Sequence, residues 1–125
     1  MPARSLRSPV LRWPDAETVV TALRRWVDDI AVEHPGLLRL GYFGSYARGD
    51  WGVGSDLDIV IIVQDTAIPF ERRAAGWDAT SLPVPADVLV YTADEWHRLA
   101  EGSPMARAMR REVRWVWGQG DAPSS

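Results

Sequence analysis

The sequence predicts an α/β domain, a small mixed β-sheet flanked by helices, and three observations predict it. Apolar side chains recur at helical spacing between Asp15 and Glu33. An almost unbroken aliphatic run fills Leu57 to Val63, as in a strand covered on both faces. Two shorter apolar runs, Leu37 to Phe43 and Ala86 to Tyr91, lie between glycines and prolines that punctuate them as strands.

In chain order, Val19, Val20, Leu23, Trp26, Val27, Ile30 and Ala31 form one stripe of the first helix, and Pro35-Gly36 stops it. Leu37 to Phe43 and Leu57 to Val63 follow as strands. Phe70 to Thr80 is a weaker helical stretch, and Ala86 to Tyr91 is the third strand, entered after Pro83 and Pro85. Thr92 and Glu95 have the spacing of a capping box, which predicts a helix to about Glu101. Ser103-Pro104 reads as an N-cap with proline at the first helical position, opening a helix through about Arg111. Val113, Trp115 and Trp117 then alternate with Arg114 and Val116, so a final strand with both tryptophans on one core face is expected. The domain spans 14–117, with 1–13 a poorly ordered N-terminal segment and 118–125 a flexible tail.

The balance of residues narrows the function classes. With 125 residues, 46% hydrophobic and 25% charged, the chain suits one domain with one core. Its net charge of −3 lacks the basic footprint that grips a nucleic-acid backbone, so direct nucleic-acid binding is not expected. No apolar run reaches membrane-spanning length, and a cytoplasmic, membrane-free location is expected. Cysteine is absent, which excludes disulfides, thiolate nucleophiles and cysteine zinc sites. Lysine is absent too, so any phosphate clamp uses arginine or backbone N–H groups.

The chemically informative stretch runs from Gly44-Ser45 through Asp56-Leu57-Asp58. Asp56 and Asp58, two apart at the head of a strand, point to one face. Like charges beside buried aliphatics repel and resist desolvation, and a divalent cation relieves both penalties. Two carboxylates with substrate phosphates and waters make the incomplete oxygen cage that magnesium prefers. Asp87, just before Val88-Leu89-Val90, is the best placed third ligand. The other use for all three is to accept turn amides. Gly44-Ser45 after a strand makes an anion-binding turn: glycine lets the backbone approach and the Ser45 hydroxyl can donate to a phosphate oxygen. Arg48 either reaches the triphosphate or is a solvated loop arginine. Ser55, beside the aspartate pair, completes the nucleotide-binding candidates.

Gly-Ser, ten intervening residues, then Asp-x-Asp resembles the signature of the polymerase beta nucleotidyltransferase superfamily, and GSYARGDWGVGSDLDIVIIV is similar to its minimal (MNT) branch. The resemblance implies a polymerase beta-like fold, ATP as substrate, and magnesium, as two ions or with manganese in their place, on Asp56, Asp58 and Asp87. Larger members append a domain that holds the acceptor. Minimal members act as antitoxins beside a HEPN RNase toxin, some by moving AMP onto a toxin tyrosine. The resemblance thus implies a HEPN-domain toxin as partner, in a hetero-oligomer, and transfer of AMP to its hydroxyl. Binding without turnover and nucleotidylation of a small molecule such as an antibiotic are the alternatives. His34, His97 and Trp77 read as structural, and Trp51 as loop packing or interface.

Overall fold

The computed structural model describes residues 13–118. Both expected tails otherwise lie outside the described residues; within them, the Trp13 indole N–H donates to the Tyr46 hydroxyl at 3.1 Å, and Gly118 pairs with Arg39 in the sheet.

Helix α1 (Ala16–Glu33) starts where Asp15 accepts from the Thr18 N–H at 2.8 Å, satisfying one of the orphan donors of a first turn. Its stripe buries Val19, Leu23, Trp26, Val27 and Ile30. Then come β1 (Leu37–Phe43), the single-turn α2 (Ser45–Arg48), β2 (Leu57–Val63) and α3 (Phe70–Arg73) with a 3-10 turn over Ala74–Gly76. β3 (Ala86–Thr92), α4 (Ala93–Arg98) with its own 3-10 extension, α5 (Pro104–Glu112) and β4 (Arg114–Gly118) complete the chain.

The strands stand in the order β3-β2-β1-β4. β1 runs antiparallel to both β2 and β4, while β2 and β3 are parallel, so the sheet is mixed as the sequence predicts. The crossover that a parallel pair requires is the 64–85 segment carrying α3. α1 packs on one face, against Leu40, Tyr42, Leu57, Ile59 and Ile61. The other face holds Val60 and Ile62 against Trp96 of α4, with Met109 and Trp115 beside them. β2 is thereby covered on both sides.

Two expectations need correction. The Phe70 to Thr80 helix stops at Arg73 and its 3-10 turn, because Arg73 is drawn inward and the chain beyond must bring Trp77 into the core. The tryptophans of β4 do not share a face. Leu40 pairs with Trp117 and Gly41 with Trp115, so Val116 is the extra residue of a bulge. Trp117 packs on the α1 side and Trp115 on the α4 side. The strand also begins at Arg114, with Val113 serving as the C-cap of α5. Trp77 is buried as expected and stacks on His34, ring centroids 3.7 Å apart.

Arg73 ties three elements together. Its guanidinium is buried and donates to the carbonyls of Ile68 (2.7 Å) and Val90 (3.0 Å) and to both oxygens of Glu95 (2.6 and 3.1 Å). Glu95 in turn closes the α4 capping box by accepting from the Thr92 N–H at 2.9 Å. The Arg73 pairing holds the Glu95 carboxyl at about 2, against an ordinary 4.5. A lowered folded-state value means that the pair stabilises the fold above the ordinary carboxylate range, and that this stabilisation is lost as pH falls toward 2. Glu95→Gln should therefore lower unfolding free energy near neutral pH by on the order of 2 kcal/mol, the scale of hydrogen bonds to a charged group. Urea melts should show the gap from the wild type closing between about pH 4.5 and pH 2; a gap constant with pH would remove the ion pair from this role.

Candidate active site

The site is assembled by sheet register. Asp58, second residue of β2, lies opposite Asp87, second residue of β3, and paired residues of neighbouring strands share a face. On its other side Asp58 lies opposite Phe43, the last residue of β1, so the chain leaves β1 directly beside the Asp58 carboxylate. Gly44 follows at φ +78°, and a Cβ there would overlap Asp58 Oδ2. Glycine is required twice over, by the left-handed backbone and by this contact. Asp56 sits just ahead of β2 and is exposed; Asp58 is half-buried and Asp87 exposed.

The turn after β1 is pinned from both ends. The Gly44 N–H donates to Glu112 Oε1 at 2.8 Å, and Arg114 Nε donates to the Ala47 carbonyl at 2.9 Å. Ser45 opens α2, and among the described residues its hydroxyl has no protein partner. Arg48 pairs with Asp50 and with Glu112 Oε2, each at 3.1 Å, and its side chain is half exposed. Ser55 accepts from the Gly52 N–H at 2.8 Å while its own N–H donates to the Gly52 carbonyl at 2.9 Å. That closed turn delivers the chain to Asp56. Trp51 is half-buried and stacks on Tyr46, centroids 5.5 Å apart.

Glu112 was invisible in the sequence. It lies 68 residues from Gly44, and no local spacing links a helix's last residue to a turn that far upstream. The structure places it on two of the donors expected to face a triphosphate, the Gly44 amide and the Arg48 guanidinium.

Burial pushes the Asp58 carboxyl up, and the charges of Asp87 and Asp56 push it further, with Glu112 adding to them and Arg48 opposing. This is the electrostatic condition that a divalent cation relieves. Among the described residues no three acidic or histidine side chains already converge as a closed cage. Two carboxylates at the heads of adjacent strands, open to phosphate and water, suit magnesium, which keeps several non-protein ligands. A cavity of about 930 Å³ opens beside Asp58 and Asp87, walled by Phe43, Trp77, Leu82 and the 83–89 segment. It is large enough for a substrate side chain or base.

No curated protein matches the chain. Among solved structures, one described as a candidate nucleotidyltransferase from Sulfolobus solfataricus is similar at 19% identity and TM-score 0.61, over 87% of this chain and 93% of its own. A toxin-antitoxin with AMP-PNP is similar at 22% identity and TM-score 0.54, over 77% of this chain and 73% of that one. The toxin-antitoxin MntA-HpeT mutant-D39ED41E is similar at 19% identity and TM-score 0.52 over the same shares. At these identities the likeness is one of fold. Residues 24–108, which contain the Gly44 turn, Asp56, Asp58 and Asp87, match the nucleotidyltransferase domain, and the chain belongs to that family.

Proposed function

We propose that this nucleotidyltransferase is an antitoxin that transfers AMP from ATP to a hydroxyl of a protein partner, a tyrosine of a HEPN-domain toxin, in the cytoplasm. The observation that carries the reading is the register that sets Asp58 beside Asp87 with the Gly44 turn against them. It is supported by the toxin-antitoxin folds similar to this one, one of them bound to the ATP analogue AMP-PNP.

In this reading Asp56 and Asp58, joined by Asp87, would hold magnesium. When bound, the metal neutralises phosphate charge and lowers the pKa of the acceptor hydroxyl. The Gly44 amide, the Ser45 hydroxyl and Arg48 orient the phosphates, and Ser55 holds the turn that aims Asp56. The acceptor oxygen attacks the α-phosphorus in line. The bond from that phosphorus to the bridging oxygen breaks, pyrophosphate leaves with the bond electrons, and Asp87 takes the hydroxyl proton.

Binding without turnover is the second reading, and Glu112 is the observation that favours it, since it already occupies the Gly44 amide and Arg48. A carboxylate seated where phosphate must sit competes with it by like-charge repulsion. Glu112→Gln should therefore tighten ATP–magnesium binding, read by calorimetry, on the order of tenfold for a relief of about 1.4 kcal/mol. Weaker binding in Glu112→Gln would show instead that its charge is needed to hold the turn.

Magnesium with ATP should raise the melting temperature of the wild type by mass action, and the double variant Asp56→Asn with Asp58→Asn should not show the rise. An undiminished rise in the double variant would place metal and nucleotide elsewhere.

Transfer itself is read by intact-mass spectrometry of the toxin incubated with this chain, ATP and magnesium. One or more AMP increments on a toxin tyrosine are expected, and Asp58→Asn should abolish them while its thermal melt stays cooperative, because the lost contribution is to the transition state and not to packing. Neutralisation of the toxin with no added mass would replace catalysis by the binding-only reading.

A further inference from the structure

β3 is the outermost strand on its side of the sheet. The direction of its backbone groups is fixed by two hydrogen bonds. The Leu57 N–H donates to the Pro85 carbonyl at 2.9 Å, so residues 85, 87 and 89 face β2. Arg73 donates to the Val90 carbonyl from the other side at 3.0 Å, so residues 86, 88 and 90 face away. Arg73 occupies Val90, but among the described residues no strand lies beyond Ala86 and Val88. Both are half-buried, and both line the 930 Å³ cavity that Asp58 and Asp87 also line.

An unpaired edge is a template for another main chain. We propose that the β3 edge at Ala86 and Val88 receives an extended segment of the acceptor protein, paired backbone to backbone, and that this pairing presents the acceptor hydroxyl to Asp87. The proposal rests on the transferase reading above. Pairing fixes which side chain arrives. With Ala86 and Val88 making the hydrogen bonds, a residue opposite Asp87 falls in the close, non-hydrogen-bonded position, its Cβ about 5 Å from that of Asp87. It also takes the sheet face of Asp87, the face shared by Asp58. Its two neighbours point to the opposite face, toward the apolar wall of Trp77, Leu82 and Val84. Before a cation offsets them, the carboxylates at the mouth repel an acidic segment, so the occupant is an uncharged or basic stretch with apolar residues on either side of a hydroxyl residue.

The test uses the isotope-labelled full chain and a blocked peptide, Lys-Thr-Val-Tyr-Val-Thr-Lys, with a second version N-methylated at alternate residues. The unmethylated peptide should shift the Ala86 and Val88 amide resonances and slow their hydrogen exchange. N-methylation should weaken binding about tenfold, as expected for the loss of one or two hydrogen bonds. Val88→Pro removes an outward N–H and no bond to β2, so it should weaken binding comparably while the chain still melts cooperatively. Binding that N-methylation and Val88→Pro both leave unchanged would overturn the proposal in favour of side-chain docking in the cavity. Shifts of the same amides with protein concentration alone would overturn it in favour of a second copy of this chain. Adding ATP and magnesium separates the two readings: peptide bound at the edge but left without AMP counts against transfer alone, whereas AMP on the tyrosine with Ala86 and Val88 unmoved counts against the edge alone.

Discussion

β2 carries buried side chains on both faces, and that double burial governs both the fold and the site. Ile59 and Ile61 pack toward α1, while Val60 and Ile62 pack toward α4 and α5. Each such side chain contributes roughly 1.5–3 kcal/mol by leaving water. A slip by one residue would exchange the two sets and carry Asp58 to the face beneath α1, an unpaired carboxylate against apolar packing. The packing that stabilises the sheet thus excludes every register but the one that puts Asp58 beside Asp87. Desolvation and repulsion at Asp58 are unfavourable locally, and the aliphatic run behind it is what offsets them. A crowded carboxylate is tolerated at the head of this strand because the rest of the strand is so well buried.

The two ends of β3 are held differently. At the far end Arg73 caps the Val90 carbonyl and joins Glu95, tying α3, β3 and α4 into one unit. At the near end Pro83 and Pro85 bring the chain in without any helix laid over the edge, and the cavity remains there. Rigidity at one end and access at the other follow from where the crossover lays its side chains. A longer α3 would have moved Trp77 away from His34 and α1, and with it the wall of the cavity.

Much of this was legible because it is local. The α1 stripe, the Thr92 and Glu95 capping box, the Ser103-Pro104 start and the Asp56-Leu57-Asp58 spacing each depend on residues within a turn or a pleat of one another. What escaped reading depends on partners distant in sequence. The Val116 bulge answers to the register of β1 against β4, which no alternation within 113–117 can report, so the tryptophans were assigned to one face when they take two. The inward turn of Arg73 has no local signal, because its partners, Val90 and Glu95, lie 17 and 22 residues on. Glu112 escaped for the same reason.

Glu112 also shows that the Gly44 turn is not governed by its own motif alone. The family match ends at residue 108, before Glu112 and Arg114, yet these two hold the Gly44 amide and the Ala47 carbonyl, the beginning and the body of that turn. Both come from the junction between α5 and β4, which is fixed in place by Arg110 donating to the Trp96 carbonyl at 3.0 Å and by Trp115 packing edge-on to Trp96. A displacement of α5 would therefore act on the Gly44 turn through two hydrogen bonds at once, without touching an aspartate. In a domain this small a single junction at the end of α5 holds both the Gly44 amide and the Ala47 carbonyl, so the turn beside Asp58 moves with α5.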